Sequence, residues 1–180
     1  MNWTGSLEPA LVDTSILIDL YKCNLLSVLP KLVKAEVLKA ALILEMEPEL
    51  LDKIRSSGYI VLESPAETAS EPVVVETLLK KPGLSGVDIL YLHHANITKK
   101  KLLTGDRSLR KSAVEKGVKV HGLLWILQTG FDRGVITRKE LCACLKKTRE
   151  DATFRLPEEA VDRMIEEICR SFPDHHSKGR

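Results

Sequence analysis

Short apolar runs alternate with longer segments whose apolar residues recur at helical spacing. Runs with the length of buried strands lie at residues 10–12, 35–38, 59–62, 102–103 and 118–121. Helical patterns follow most of them, and in the helix predicted over residues 40–57 Pro48 favours a bend or a break. Strands that alternate with helices are typical of a parallel sheet. The pattern therefore predicts a doubly wound α/β fold.

The first predicted strand ends at a carboxylate. Residues 10–12 are apolar, Asp13 interrupts them, and Thr14 and Ser15 are residue types that cap helices. In an open parallel sheet, ligands bind at the carboxyl ends of the strands, where several strand-to-helix turns meet. Asp13 is therefore a candidate functional residue. The alternative is that it caps the next helix or accepts a hydrogen bond from Thr14 or Ser15.

Two later segments also place an aspartate at the start of a helix. In LSGVDILYLHHANI, Ser85 and Asp88 have capping-box spacing, which by itself accounts for both residues. In KLLTGDRSLRKSA, a short strand precedes Thr104, and Asp106 precedes a helix. The order of strand, hydroxyl residue, aspartate and helix there is close to that around Asp13.

Bulk composition predicts a protein that stays in the cytoplasm. The 180 residues are 44% hydrophobic and 29% charged, and no apolar run approaches the roughly 18 residues of a membrane span. The first residues lack a basic segment followed by an apolar core, as a secretory signal would have. The four cysteines are scattered without zinc-finger spacing, and we expect them to be reduced thiols. They are Cys23, Cys142, Cys144 and Cys169.

The net charge of +2 does not by itself indicate a nucleic-acid-binding protein. Basic residues are nevertheless concentrated around Asp106, in the run Lys99, Lys100 and Lys101 and then at Arg107, Arg110 and Lys111. Such a run is usually a solvated surface. The functional alternative is a surface that holds a phosphate backbone.

Three segments together resemble the signature regions of PIN-domain proteins. They are DTSILIDL, LSGVDILYLHHA and LLTGDRSLRKSAVEKGVKVHG, in that order, and the resemblance covers about residues 10–134. GLLWILQTGFDRGVI and FRLPEEAVDRMIEEI are similar to the end of a prokaryotic PIN branch with extra C-terminal helices. The resemblance implies a Rossmann-like PIN fold over residues 1–134 and a helical extension over 135–172 packed on it. Residues 173–180 are expected to be a disordered tail.

The resemblance also implies an acidic pocket that binds Mg²⁺ or Mn²⁺. The family's metal-binding and catalytic aspartates fall on Asp13, Asp88 and Asp106, with Thr14, Ser15 and Thr104 expected to support them. The family's acidic residue on the helix after the second strand falls on Glu45, with Glu47 and Glu36 as alternatives. Ser108 stands where many members have another aspartate.

These expectations lead to two hypotheses about function. The first is a metal-dependent endoribonuclease, the toxin of a toxin–antitoxin pair, whose partners would be RNA, a small antitoxin and a second copy of the chain. The RNA backbone would be held by Arg107, Arg110, Lys111 and Lys101. The alternative is a nuclease-inactive module that binds nucleic acid or protein, which Ser108 favours. Clustered carboxylates repel one another unless a cation neutralises them, so intact Asp13, Asp88 and Asp106 favour the first.

Overall fold

The computed structural model describes residues 7–63 and 83–170. Five parallel strands form one sheet in the order β3-β2-β1-β4-β5. The strands are β1 (Pro9–Val12), β2 (Lys34–Leu38), β3 (Ile60–Leu62), β4 (Lys101–Leu103) and β5 (Val120–His121). The α/β fold predicted from the sequence is confirmed. A helix predicted to start at Pro72 and the tail over 173–180 lie outside the described residues.

The described helices follow the predicted pattern closely. They are α1 (Thr14–Lys22), α2 (Leu29–Leu32), α3 (Lys39–Glu45), α4 (Pro48–Ser56), α5 (Gly86–Thr98), α6 (Arg107–Glu115), α7 (Leu123–Asp132), α8 (Arg138–Glu150) and α9 (Glu158–Met164), with a π-helical turn over Ile165–Cys169. Pro48 divides the long helix predicted over 40–57, because it begins α4 at a position where a missing amide hydrogen costs nothing.

The strand order reverses between β1 and β4. Val12 pairs with Leu103, and the amide of Asp13 donates to the carbonyl oxygen of Leu103 over 2.9 Å, so both strands end at the same level. Strand order 3-2-1-4-5 leaves a crevice at this point, because the connections of the two halves of the sheet run to opposite faces. The turns after β1 and β4 face each other across this crevice.

Alternate residues of β1 point into two separate apolar clusters. Ala10 and Val12 pack with α1 and α7, whereas Leu11 packs with α5 and α6 on the other face. All three side chains are fully buried, as expected for the central strand of a sheet covered on both faces.

The C-terminal helices share the first of these clusters. The cluster that contains Leu17 of α1 also contains Leu145 of α8, Val161 of α9, and Phe154 from the segment between these two helices. Helices α8 and α9 therefore pack against α1. The division of the chain into a PIN-like domain and an extension at residue 134 stays a prediction.

The expectation of reduced cysteines was wrong. Cys23, at the end of α1, is bonded to Cys144 of α8, and Cys142 is bonded to Cys169, with Cα separations of 5.2 and 5.8 Å. Both separations lie in the range that a disulfide requires. The partners are 121 and 27 residues apart in the chain, so their proximity depends on the packing of α8, which cysteine spacing does not reveal. In the described ranges, no helix has the length and apolarity needed to cross a membrane.

Candidate active site

Asp13 lies at the carboxyl end of the central strand, and only 4% of its surface is exposed. It occupies the N-cap position of α1, yet within the described chain its carboxylate makes no capping hydrogen bond. Its Oδ2 instead accepts from Ser15 Oγ over 2.5 Å and from Thr104 Oγ1 over 2.7 Å. Thr14 Oγ1 lies 3.3 Å from Oδ1. The Asp13 side chain therefore does not cap α1. It accepts hydrogen bonds from neighbouring hydroxyls, as the second part of that alternative expected for Ser15.

The two closest hydroxyls are themselves oriented by the turn after β4. Ser15 Oγ accepts from the amide of Gly105, and Thr104 Oγ1 accepts from the amide of Asp106, each over 3.0 Å. Each hydroxyl has one hydrogen to donate, and accepting from an amide directs that hydrogen toward Asp13. The turns after β1 and β4 are thus joined through the carboxylate of Asp13.

Glu45, at the end of α3, is the second carboxylate at this position. Thr14 Oγ1 lies 2.5 Å from Glu45 Oε2, so one threonine connects Glu45 with Asp13. The alternatives are placed differently. Glu36 is buried in β2 in an ion pair with Lys100 at 2.5 Å, and Glu47 is exposed before α4.

Asp88 caps its helix and also lies within electrostatic reach of Asp13. The amide of Ser85 donates to Asp88 Oδ2 over 2.7 Å, and the amide of Asp88 donates to Ser85 Oγ over 3.0 Å, which completes a capping box. Its charge raises the pKa of both Asp13 and Glu45. Capping and membership of the acidic group therefore coexist at Asp88.

Asp106 has a capping role too. Its Oδ1 accepts from the amide of Leu109 over 2.7 Å at the start of α6. Its link to Asp13 runs through its own backbone amide and Thr104 Oγ1, rather than through its carboxylate. The structure thus brings Asp13, Glu45 and Asp88 into one electrostatic group and places Asp106 at its border.

Two carboxyls of this group, those of Asp13 and Glu45, have raised pKa values, and loss of solvation is the main cause. It raises the pKa of the Asp13 carboxyl, although the hydrogen bonds from Ser15 and Thr104 oppose the change. Glu45 is an exposed residue, but its carboxyl loses part of its solvation, which raises its pKa, and the charges of Asp13 and Asp88 raise it further. A cation bound here would relieve the repulsion between these carboxylates.

Sequence reasoning missed two polar residues beside this group. Asp19 lies on α1 next to the turn after β4, and burial raises its pKa to about 6, with the charge of Asp13 contributing. Its spacing of four residues from Ser15 places the two on one helix face, which was a usable signal. Tyr91 is fully buried, and among the described residues its hydroxyl makes only a weak contact with the backbone of Leu38. Burial raises the pKa of Tyr91, and the charges of Asp13, Glu45 and Asp88 add to this.

The donor set suits a hydrated divalent ion better than one enclosed by protein ligands. Within the described ranges, no group of three histidine, cysteine, aspartate or glutamate side chains is arranged to hold a metal ion. Magnesium, however, is usually held by one or two carboxylates and keeps several waters. Asp13, Glu45 and Asp88 supply hard oxygen donors. This set of oxygen donors fits such an ion.

The basic residues predicted to contact nucleic acid divide between two places. Arg107 and Arg110 lie on α6 and line a cleft beside the turn after β4. Lys111 is exposed on the same helix. Lys101 begins β4, at the opposite end of the strand from the acidic group, and its Nζ lies 2.6 Å from Glu8.

Comparisons with known proteins agree with this architecture. Residues 9–170 match the family DUF3368, which is described as a PIN domain. The crystal structure of PAE2754 from Pyrobaculum aerophilum is similar with a TM-score of 0.50 and 22% identity, over 70% of this chain and 98% of that one. A PilT N-terminus domain protein, SSO1118 from the hyperthermophilic archaeon Sulfolobus solfataricus P2, gives a TM-score of 0.45 and 14% identity, over 68% and 93%. No curated protein matches the chain.

Proposed function

Because this chain belongs to the PIN-domain family, whose members are generally nucleases, we propose that it is an endoribonuclease that depends on Mg²⁺ or Mn²⁺. The observation that carries the proposal is the state of Asp13. It is buried, it does not cap its helix, and it shares a group of mutually repelling carboxylates with Glu45 and Asp88. Repulsion between these carboxylates destabilises the folded state unless a bound cation neutralises them.

Asp13 and Asp88 would hold the ion, with Asp106 at the border of the site and Glu45 close to the reacting water. When bound, the ion supplies a more acidic water and stabilises charge that develops on the phosphate. Ser15 and Thr104 fix the orientation of Asp13, since each hydroxyl donates to its Oδ2. A raised pKa makes the Glu45 carboxylate a better acceptor of a proton from an attacking water.

Cleavage assays on a pool of single-stranded and structured RNAs test this proposal. We expect the parent to cut RNA with Mn²⁺ or Mg²⁺ and to stop in chelator. Asp13→Asn should lower the rate at least about 10- to 100-fold, the loss that follows when the shell around a metal is weakened. The matched control is Asp52→Asn, which removes an exposed carboxylate on α4. Cleavage that persists in chelator, or equal loss in both variants, would contradict the proposal.

A toxin role is a narrower form of the same proposal, and the resemblance to prokaryotic toxins supports it. We expect expression of the parent to arrest growth, and co-expression of a small antitoxin encoded directly upstream to relieve the arrest. Asp13→Asn should not arrest growth at equal abundance. Sedimentation of the purified chain tests the accompanying proposal that it forms a homodimer.

The second candidate function, a module that binds nucleic acid without cutting it, is favoured by two observations. The carboxylates of Asp88 and Asp106 both accept hydrogen bonds from backbone amides in helix caps, and Ser108 replaces an acidic residue common in the family. This candidate predicts RNA binding with no cleavage by any metal-loaded form.

A further inference from the structure

A cleft of about 820 Å³ lies between the turn after β4 and the segment that joins α8 to α9. Three arginines line it, Arg107 and Arg110 from α6 and Arg155 from the joining segment, together with the indole of Trp125. Among the described residues that line this cleft there is no carboxylate. It is therefore a positively charged cleft with one aromatic wall.

The cleft continues toward the acidic group. A smaller cavity of about 270 Å³ is lined by Asp19, Asp106 and Ser15, and it shares Gly105 and Arg155 with the cleft. Lys22 also lines this cavity, so two carboxylates and two cations face it. The basic cleft thus adjoins a cavity of mixed charge, with the turn after β4 between them.

Arg110 and Trp125 are held in place by specific contacts. Arg110 Nη2 donates to the carbonyl oxygen of Thr104 over 2.8 Å. A Cβ on Gly122 would lie 2.6 Å from the same nitrogen, so glycine at this position leaves room for the guanidinium. Trp125 stacks on His121 with ring centroids 4.3 Å apart, Lys101 Nζ lies over the indole at 5.7 Å from its centroid, and the residue stays partly exposed. These contacts set the positions of a charge and of an aromatic surface.

Arg155 comes from the C-terminal extension. Its side chain is exposed, but the preceding Phe154 is buried in the cluster that contains α1. Lys22 of α1 lies over the Phe154 ring at 5.2 Å from the centroid. An anchored neighbour keeps Arg155 beside the groove, so the extension contributes a residue to the surface next to the acidic group.

We propose that this cleft binds the nucleotides adjacent to the cleaved bond of a single-stranded RNA, with Arg107 and Arg155 contacting phosphates and Trp125 stacking on a base. The inference rests on the proposed function and names residues that hold its substrate. Arginine forks match phosphate oxygens, and bases stack on aromatic side chains only where they are unpaired. A peptide of acidic residues alone fits less well, since it has no planar ring that could stack on the Trp125 indole.

Binding of a short fluorescein-labelled RNA strand, measured by anisotropy in chelator at several salt concentrations, tests this inference. Arg155→Gln should weaken binding and reduce the slope of log affinity against log salt by about 0.7, the value for one phosphate contact on a single strand. The matched control is Arg163→Gln, which removes an exposed arginine from α9, outside the cleft. Trp125→Leu should weaken binding by about 5- to 150-fold, and Trp125→Phe should retain most of the affinity.

The outcomes separate this inference from the proposed function. If the parent cuts RNA with metal while Arg155→Gln and Trp125→Leu bind and cut like Arg163→Gln, the cleft assignment is wrong and the nuclease stands. If both variants lose binding but the parent never cuts RNA, the cleft stands and the nuclease proposal fails. Poly-glutamate or an RNA duplex that competes as well as the single strand would also overturn the assignment.

Discussion

The turns after β1 and β4 have nearly the same sequence layout but use their aspartates differently. Both aspartates occupy N-cap positions after adjacent strands: Asp13 follows β1 directly, and Asp106 follows β4 after Thr104 and Gly105. Asp106 caps α6 through the amide of Leu109, whereas Asp13 is turned toward the hydroxyls of Ser15 and Thr104. A capping position therefore does not determine what a carboxylate does, because hydroxyls from a neighbouring turn can orient it elsewhere.

Thr104 couples the two turns, so removing its hydroxyl should have the largest effect on stability. Thr104→Val removes one of the two hydrogen bonds to Asp13 Oδ2, to which Ser15 still donates, and it leaves the amide of Asp106 without its partner. With about 1–3 kcal/mol for the unpaired amide and about 1 kcal/mol for the lost hydrogen bond, we expect a decrease of about 2–3 kcal/mol in the free energy of unfolding. The melting temperature should fall by about 5–10 °C, as measured by circular dichroism.

Two variants control this measurement. Thr104→Ser keeps the hydroxyl and should recover most of the stability. Thr148→Val, in α8, removes a buried hydroxyl that donates only to the carbonyl oxygen of Leu145, and it should cost less. A Thr104→Val protein no less stable than Thr148→Val would mean that the two turns are not coupled in this way.

Asp106 should show a smaller effect, through its cap. Asp106→Ala removes the acceptor for the amide of Leu109 and should cost about 1 kcal/mol, or about 2–4 °C, whereas Asp106→Asn should cost much less because it still accepts. Thermal melts of both variants measure this difference. Equal losses would indicate that the charge of Asp106 matters more than its cap.

Asp19 should give an effect that depends on pH. Its pKa in the folded state is about 6, above the ordinary value of 3.8, so the folded chain binds this proton more tightly than the unfolded chain does. Stability from this group is therefore present below about pH 4 and is lost as the pH rises through about 6. The melting temperature of Asp19→Asn relative to the parent should rise by about 3–6 °C across this window, once solvent screening is allowed for, and then level off.

The control for this pH dependence is Asp52→Asn, which removes an exposed carboxylate on α4. The same pH-dependent difference in both variants would attribute the effect to net charge rather than to the burial of Asp19.

The sheet and its central turn were predictable because local sequence encodes them. The apolar run before Asp13, the break at Pro48 and the capping pattern at Ser85 each act within a few residues, and the structure contains all three. The link from Thr104 to Asp13 spans 91 residues and depends on the two strands being neighbours in the sheet. Only the resemblance to PIN domains indicated that Thr104 would support the aspartates.

Features that depend on the packing of the C-terminal helices were not predictable in the same way. Arg155 and Trp125 meet at one cleft only because α8 and α9 fold back toward the turn after β4. The disulfide between Cys23 and Cys144 depends on the same packing. The expectation of reduced thiols followed from the predicted cytoplasmic location, which by itself does not show which cysteines the packing brings together.

The central claim is that the group around Asp13 exists to bind a cation, and thermal melts of Asp13→Asn with and without Mn²⁺ test it most directly. Asparagine can keep the hydrogen bonds from Ser15 and Thr104 while removing a buried charge that Asp88 repels. In chelator near neutral pH, we expect the variant to melt a few degrees above the parent. Manganese should reverse this order, because an ion that binds only the folded state stabilises the parent more. A variant less stable than the parent in chelator, with no response to manganese in either protein, would contradict the claim.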